Sequence, residues 1–384
     1  MRSSYSVVEY RSDHRSGVLE LARHIWSSDL DRNGAYFDWK YRDNPNLGPE
    51  GGIVFVVMHD GNVVGMRGLH PVRLEADGTA ELTALCWGDA IIDPRHRGKG
   101  LLTPLTDALL ARASEAGYRY IFGVSNNRAT FFHLMKLGWK PAVPYRLLHR
   151  YTGGKNVLIR SIQRARRMPI LSDLADAMQH GALAKRVAKF ADQSDLLASL
   201  DDNDARKSES VAVASSPKPD AMADLIRRLG GDGRIRLVRD TDTMSWRFAN
   251  PNAEYRFLFC GEPELKGYLV VQARRYDNFG IANLVDWEAE TNDVRRALLS
   301  TLLKFGHFHS LALWSAGLPD ETMDLLWKEG FRPKEPPPAD GAYRQGLIIG
   351  SLGAQKDEEG WSMGRRDLLL PENWDLRMIF SDSF

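Results

Sequence analysis

Hydrophobic positions along the chain alternate between strand-like runs and helix-like spacing, and their order predicts an α/β protein. Short, mostly apolar runs predict strands at 6–11, 53–58, 63–67, 82–92, 118–124 and 145–151. Apolar residues recurring three and four positions apart predict helices at 16–27, 101–116 and 129–137. The segment His59-Asp-Gly-Asn62 lies between two of the predicted strands, so it predicts a hairpin turn.

The same order of elements begins again after residue 209, which indicates a tandem duplication. Ser245-Trp-Arg-Phe-Ala-Asn-Pro251 echoes Asp38-Trp-Lys-Tyr-Arg-Asp-Asn-Pro45. Lys328-Glu-Gly-Phe331 likewise repeats Lys136-Leu-Gly-Trp139. The offset between matching positions drifts slowly, as loop-length changes between two copies of one fold would cause. We therefore expect an N-terminal domain at 1–151, a helical insert and linker at 152–208, a second domain at 209–350 and a C-terminal tail at 351–384.

One stretch of the first copy has the chemistry of an anion-binding site. A strand ending at Asp93-Pro94 is followed by the basic, glycine-containing segment Arg95-His-Arg-Gly-Lys-Gly100 and then by a predicted helix. The first turn of a helix has unpaired N–H groups that bind anions, and glycine lets a ligand approach the backbone closely. This order predicts a phosphate-binding loop.

Composition excludes several classes of partner and cofactor. The 384 residues are 43% hydrophobic, and 51 basic residues nearly balance 50 acidic ones, giving a net charge of +1. Such a balance argues against a nucleic-acid partner. No long apolar run or signal-peptide core is present, so we expect no membrane insertion and a cytoplasmic location. The two cysteines, Cys86 and Cys260, lie in apolar runs and predict buried thiols rather than a metal site.

With these motifs in hand, the first copy resembles the GNAT superfamily of acetyl-coenzyme-A-dependent N-acyltransferases. The family's loop pattern is Arg or Gln, two residues, Gly, one residue, then Gly or Ala. Residues Arg95 to Gly100 match it letter by letter, whereas the register Arg97 to Leu102 places Leu102 at the small position. We prefer the second register because GNAT loops usually leave a few residues after the strand's Asp-Pro. The family's Asn before a helix ending in Leu-Gly-aromatic is matched by Asn127 and Gly138-Trp139.

The resemblance implies the residues of the donor site. In GNAT folds, backbone N–H groups of the strand before the loop grip the pantetheine arm and polarise the carbonyl. The implied donor-binding residues are Ala90, Ile91, Ile92, Arg97, Gly98, Lys99, Gly100, Leu101, Leu102 and Asn127. No metal is implied.

Candidate catalytic residues are less well specified by the sequence. Many family members have a Tyr acid in the helix after Asn127, and that position is Leu134 here. His133 is adjacent and is one candidate acid, with a surface or packed histidine as the alternative. Asp89 is our candidate general base, because burial on its strand would raise its pKa; an outward, solvated carboxylate is the alternative. Tyr145 is a further candidate.

The second copy lacks the features of a donor site. Where the glycine loop would recur, Asp286-Trp-Glu-Ala-Glu-Thr-Asn-Asp-Val294 has no glycine and four carboxylates, which would repel phosphate. The fold class expected is α/β (α+β): two tandem GNAT-like folds, each a mixed β-sheet flanked by helices, joined by a helical insert.

The resemblance implies an enzyme that moves an acetyl or other short acyl group from acyl-coenzyme A to the primary amine of a small acceptor. The loop resembles members associated with polysaccharide biosynthesis, which favours an amino-sugar acceptor. The alternatives are a lysine, peptide or antibiotic amine acetyltransferase, and a non-catalytic coenzyme A-binding module.

Overall fold

The computed structural model describes residues 5–48, 51–76, 80–125, 128–151, 197, 200, 210–274, 281–306, 308, 310–333, 346–352 and 360–381. The chain divides into two compact units, each built from three segments. The first unit takes Met1–Tyr145, Gly231–Asn252 and Pro337–Asp375. The second takes Arg146–Gly230, Ala253–Pro336 and Leu376–Phe384. The predicted helical insert at 152–208 lies almost entirely outside the described residues.

The first unit is built on a mixed sheet of eight strands among the described residues. Its strands are β1 (Ser6–Glu9), β2 (Ile53–His59), β3 (Asn62–Ala76), β4 (Ala80–Ile92), β5 (Tyr120–Ser125), β6 (Lys140–Pro144), β9 (Arg236–Leu237) and β15 (Gly346–Ser351). The order is β1-β2-β3-β4-β5-β15-β6, with β9 on β3. Only β4 and β5 run parallel; the other pairs are antiparallel.

Helices cover both faces of this sheet. They are α1 (Arg15–Ala22), α2 (Leu30–Tyr41), α3 (Leu102–Glu115), α4 (Arg128–Lys136) and α6 (Thr241–Arg247). On one face α1 and α2 pack with Val54, Val56, Met66 and Ile91. On the other, α3 and α4 pack with Leu69, Leu85 and Ile121. The strands therefore read as continuous apolar runs because both of their faces are buried.

The hairpin predicted between β2 and β3 is confirmed, with its turn at Asp60 and Gly61. Both residues have positive φ, +48° and +76°. A two-residue hairpin turn of this hand needs positive φ at both central positions, which explains the Asp-Gly pair.

The second unit has a sheet of seven strands among the described residues, in the order β14-β7-β13-β12-β11-β10-β8. They are β7 (Leu147–Tyr151), β8 (Val211–Ala214), β10 (Ala253–Cys260), β11 (Gly267–Arg274), β12 (Ile281–Ala289), β13 (Ser310–Trp314) and β14 (Arg332–Pro333). Its helices are α5 (Pro219–Leu229), α7 (Asn292–Phe305) and α8 (Asp320–Lys328). Again one neighbouring pair, β12 and β13, is parallel.

Each sheet contains a strand from the other half of the sequence. β7, expected as the last strand of the first copy, pairs with β13. β15, which follows the second copy in sequence, is inserted between β5 and β6. The units thus depart from contiguous bounds at 151 and 209. An apolar strand pattern predicts burial but does not specify the partner strand, so the sequence pattern leaves this exchange open.

The structure describes residues 360–381 of the C-terminal tail. In the first unit it forms the short hairpin β16 (Ser362–Met363) and β17 (Arg366–Asp367). The Tyr120 hydroxyl of β5 donates to the Gly360 carbonyl, and Trp374 is buried against Phe122. The tail therefore adds to the core around β5.

Helix α6 comes from the second copy by sequence but packs against α2 of the first unit. The rings of Trp39 and Trp246 stack with centroids 4.8 Å apart. Each indole Nε1 donates to the other's backbone carbonyl, at 2.7 and 2.6 Å. The repeated tryptophan of the two copies therefore forms a reciprocal packing contact.

Candidate active site

Strands β4 and β5 are paired only at one end, so a gap opens between them. Their parallel pairing consists of Leu85 with Ile121 and Cys86 with Phe122. On its other side β4 continues to pair with β3 as far as Ile92. The part of β4 from Trp87 to Ile92 therefore has one backbone edge that no described strand covers.

The hydrogen-bond alternation of β4 determines which amides face this open edge. The Asp93 N–H donates to the Val64 carbonyl of β3 at 2.9 Å. Because successive residues of an antiparallel strand point to opposite sides, Ile91 also faces β3, whereas Ile92 and Ala90 face the gap. The Arg97 Nε donates to the Ile92 carbonyl at 3.2 Å, in agreement with that direction. Of the three predicted backbone donors, two face the open edge.

A β-bulge at Asp89 lies at the middle of this edge. Arg67 pairs with Ala90 and Gly68 with Gly88, so Asp89 is the extra residue. Its side chain turns toward α2 and toward Trp26, which follows α1. The bulge changes the direction of β4 in the part that does not pair with β5.

The Asp89 carboxylate is enclosed by hydrogen-bond donors. It accepts from Trp26 Nε1 at 2.9 Å, from Lys40 Nζ at 2.7 Å and from Tyr41 OH at 2.6 Å. The Lys40 side chain is fully buried and that of Asp89 is 10% exposed. Asp89 is therefore part of a buried ion pair and not the solvated carboxylate of the alternative reading.

The loop after β4 begins with a fixed turn. The Asp93 carboxylate accepts from the Arg95 backbone N–H at 2.9 Å and from the Arg95 guanidinium at 3.1 and 2.8 Å. These bonds to Arg95 lower the pKa of Asp93 to about 2. The side-chain cap starts a short 3₁₀ turn over Pro94–His96 and directs the chain toward the glycines.

The glycine loop, residues 97–101, is exposed from Arg97 to Gly100. Gly98 and Gly100 have φ of +74° and +72°. No atom lies within 4 Å of where a Cβ would stand at either glycine. The backbone conformation, rather than crowding within the protein, therefore requires glycine at both positions.

Helix α3 starts at this loop without a cap. Its N-cap residue, Leu101, is in helical conformation and makes no side-chain cap bond. The Leu102 side chain is 39% exposed, so it leaves the first turn open to solvent. The Thr103 N–H donates to the Gly100 carbonyl at 3.4 Å, and Pro104 has no N–H. The N–H groups of Leu101 and Leu102 and the positive end of the helix dipole are therefore available to an anion.

The cations of the loop are held at its rim. Lys99 Nζ donates to Tyr5 OH at 2.5 Å, and that hydroxyl also bonds His96 Nδ1 at 2.9 Å. Tyr5 stacks on His59 with centroids 4.2 Å apart. The side chain of Arg97 is held by its bond to the Ile92 carbonyl. Positive charge thus flanks the exposed backbone of the glycine loop.

Helix α4 presents an apolar side chain at the position of the family's tyrosine acid. Leu134 is fully buried, in one cluster with Leu85, Ile121 and Trp139. His133 Nε2 is buried and has no hydrogen-bond partner among the described residues. Burial, then the charges of Arg67 and Lys136, lower the pKa of His133. His133 is therefore a neutral imidazole near neutral pH.

Two predicted residues remain to be located. Tyr145 is buried just after β6. Asn127 lies outside the described residues.

The structure brings one further residue to the gap that sequence reasoning missed, Arg67. Its side chain is buried beneath the open edge, and its guanidinium carbon lies 3.6 Å from the centroid of the Trp87 ring. The sequence feature that could have indicated Arg67 is a lone arginine within the apolar run Val63-Val-Gly-Met-Arg-Gly-Leu69. A charged residue within an otherwise buried strand is unusual and points to a specific role.

Comparisons with known proteins agree with this geometry. A family model described as the acetyltransferase (GNAT) family matches residues 17–139. The matched segment runs from α1 through β4 and the glycine loop to the end of α4. Residues 17–139 therefore match a GNAT acetyltransferase domain. Acyl transfer to an amine is the general activity of that family, and acetyl-coenzyme A its usual donor.

Solved structures extend the fold assignment to nearly the whole chain. A GCN5-related N-acetyltransferase from Anabaena variabilis matches at TM-score 0.56 and 11% identity, over 92% of this chain and 74% of that one. A probable N-acyltransferase from Enterococcus faecalis matches at 0.53 and 11%, over 94% and 75%. A tandem GNAT protein from the clavulanic acid biosynthesis pathway matches at 0.51 and 12%, over 92% and 100%. The predicted tandem GNAT fold is thus confirmed. No curated protein matches the chain significantly.

The second GNAT-like fold keeps the framework of the first. Strand β12 pairs with β13 only from Ile281 to Asn283. Its pairing with β11 is interrupted by a bulge between Val270 and Val271. The gap and the bulge are therefore features of both copies.

The helix that follows β12 is closed to an anion. The Thr291 hydroxyl caps α7 by accepting from the Val294 N–H at 3.3 Å, and Asp293 lies in the first turn. At the equivalent α3 terminus, neither a capping side chain nor an acidic residue is present.

The tail covers the open edge of β12. Arg377 Nη1 lies 3.1 Å from the Asp286 carboxylate and 2.9 Å from that of Glu288, and it donates to the Trp287 carbonyl at 2.6 Å. Met378–Phe380 are buried next to it. The carboxylates expected to repel phosphate are thus paired within the second unit.

Within the described ranges, no group of three His, Cys, Asp or Glu side chains is arranged to hold a metal ion. None of the described helices is long and apolar enough to cross a membrane. Cys86 and Cys260 are both buried thiols.

Proposed function

We propose that the first unit binds an acyl-coenzyme A donor and transfers its acyl group to the primary amine of a small acceptor. The observation that carries this is the open edge of β4 leading directly into an uncapped helix through the exposed glycine loop. The loop and the start of α3 suit the pyrophosphate, with Arg97 to Leu102 around it. The pantetheine arm would lie along the gap, with its amide and thioester oxygens facing Ala90 and Ile92.

Direct attack needs a neutral amine and donors for the oxyanion. In our proposal the gap-facing N–H groups of Ala90 and Ile92 polarise the thioester carbonyl. Asp89 is the proposed proton acceptor for the amine. Its carboxylate accepts hydrogen bonds from Trp26, Lys40 and Tyr41, which leaves one of its roughly four acceptor sites for the amine. His133 and Tyr145 remain candidate proton carriers.

We propose that the donor site exists in the first unit alone. The second unit's equivalent helix is capped by its own threonine, and the open edge of β12 is covered by the tail. This explains why the glycine loop occurs once in a duplicated chain.

An amino sugar is our proposed acceptor, from the likeness of the loop Arg97-Gly-Lys-Gly-Leu-Leu-Thr103 to members associated with polysaccharide biosynthesis. The test is release of coenzyme A thiol from acetyl-coenzyme A in the presence of single acceptors: amino sugars, lysine peptides and aminoglycosides. We expect turnover with an amino sugar at least about tenfold faster than with the other two. Preference for a peptide or an aminoglycoside would reassign the acceptor. Donor binding without thiol release from any amine would leave a non-catalytic binding module.

A further inference from the structure

Arg67 is a buried cation without a counter-ion among the described residues. Its side chain is 3% exposed, and Nη1 donates to the Thr106 hydroxyl at 2.7 Å. The Thr106 hydroxyl in turn donates to the Leu102 carbonyl at 2.6 Å, in the first turn of α3. Among the described residues, Nε has no hydrogen-bond partner and no carboxylate pairs with the guanidinium. The group is therefore held firmly in place but incompletely satisfied.

Such an arrangement is costly unless it serves a ligand. Burying an unpaired charge costs several kcal/mol, and natural buried arginines are usually paired with carboxylates. Burial lowers the pKa of Arg67 to about 9, which still leaves the guanidinium protonated near neutral pH. A full positive charge thus persists in a site from which water is largely excluded. A negative charge that forms or binds beside it would be strongly stabilised.

The position of Arg67 relates this charge to the gap. Trp87, on which it stacks, is the first residue of β4 beyond the pairing with β5. Arg67 pairs in register with Ala90, whose amide faces the gap. On the α4 side its charge acts on His133 and lowers the pKa of that imidazole. Arg67 therefore lies beneath the part of the gap that, under the proposed function, receives the thioester.

Acyl transfer produces one anion at that place. The amine nitrogen bonds to the carbonyl carbon, the C–S bond breaks, and its electron pair leaves on sulfur as the coenzyme A thiolate. The amine's proton goes to the base or to solvent. On α4, Leu134 carries no proton to give this thiolate, and His133, as a neutral imidazole, is set to accept a proton rather than to donate one.

We propose that the Arg67 guanidinium stabilises the departing coenzyme A thiolate electrostatically, so that the sulfur leaves unprotonated and no general acid is needed. This proposal rests on the proposed function, since it requires coenzyme A in the gap. It assigns a role to a residue outside the glycine loop and explains how a leucine is tolerated at the acid position. The thiolate then takes up its proton from solvent after release.

The test is the thiol pKa of coenzyme A bound to the intact protein, measured by the ultraviolet absorbance of the thiolate during a pH titration. A cation within about 4–6 Å lowers the pKa of an ionisable group by about 1–3 units. We therefore expect bound coenzyme A to titrate at least about 1 unit below the free thiol. In Arg67→Met, which keeps the length and apolar contact with Trp87, the shift should disappear and kcat should fall about 10²-fold. Arg67→Lys should retain part of both.

The control is Arg73→Met, the same substitution on the same strand at an arginine that hydrogen-bonds Asn46 and pairs with Asp240. It should leave the thiol pKa unchanged. A wild-type thiol that titrates like free coenzyme A overturns the proposal without any variant, and so does an unchanged shift in Arg67→Met. Tighter binding of succinyl- than acetyl-coenzyme A that is lost in Arg67→Met would assign the charge to a carboxylate of the acyl group instead. Failure of coenzyme A to bind at all would refute the proposed function itself.

Discussion

Replacing Lys40 by methionine removes the cation beneath the β4 bulge and leaves its partner, Asp89, buried with only two neutral donors. The Lys40 ammonium is fully buried and 2.7 Å from the carboxylate. Removing one partner of a buried ion pair costs about 3–5 kcal/mol, because the remaining charge loses its counter-ion without gaining solvent. The remaining bonds from Trp26 and Tyr41 favour the lower end of this range. At about 2–4 °C per kcal/mol, a cost of about 3 kcal/mol should lower the unfolding transition of the first unit by roughly 6–12 °C.

The assay is scanning calorimetry of the full chain, which resolves two transitions if the units unfold separately. Lys136→Met, at an exposed lysine of α4, is the matched control and should change stability by less than about 0.5 kcal/mol. The double variant Lys40→Met/Asp89→Leu should be more stable than the sum of its single effects by about 2 kcal/mol, since no lone charge remains. A cost below about 1 kcal/mol for Lys40→Met, or strict additivity in the double variant, would refute the buried ion pair.

Substitutions of Asp93, Trp39 and His133 test three further contacts of the first unit. Because Arg95 lowers the pKa of Asp93 from 3.8 to about 2, the Asp93 carboxylate contributes stability that is complete above pH 4 and lost as pH falls toward 2. Over this pH range, Asp93→Asn should lose about 1–2 kcal/mol less of its free energy of unfolding than the wild type, with solvent screening at exposed Arg95 setting the lower figure. Equal losses in the two proteins would contradict the cap. Trp39→Phe should cost about 1–3 kcal/mol in urea unfolding, because the Trp246 carbonyl loses its donor; a neutral effect would contradict the reciprocal bond. The lowered pKa of His133 predicts stability that is present above pH 6.5 and declines as pH falls below it, and His133→Gln should remove that decline.

Much of the first unit follows from local sequence features. The Asp-Gly pair specifies its hairpin turn, and the apolar spacing of Leu105, Leu109 and Ala113 specifies the buried face of α3. Gly98 and Gly100 are required by their positive φ. These features depend on neighbours within a few residues along the chain, which is why a single sequence is sufficient to predict them.

The remaining features depend on contacts between distant segments. The exchange of β7 and β15 is set by which strands each of them pairs with, and both strands have the same apolar character. The enclosure of Asp89 depends on Lys40, which lies on a helix 49 positions earlier in the chain. Arg67 bonds Thr106 and has no carboxylate partner among the described residues because of where β3 packs against α3. Hydrophobic periodicity does not specify contacts between residues that are distant in sequence, so the catalytic candidates were the least predictable part of the site.

On our proposal, the duplicated fold has one donor site, at the glycine loop of the first unit. Titration calorimetry of the full chain with coenzyme A tests it directly. We predict one molecule bound per chain, and none in Gly100→Glu, which places a carboxylate and a disfavoured φ at the loop. Gly330→Glu makes the same change at another exposed, positive-φ glycine in the second unit and should keep full binding. Two molecules per chain, or unchanged affinity in Gly100→Glu, would contradict the account.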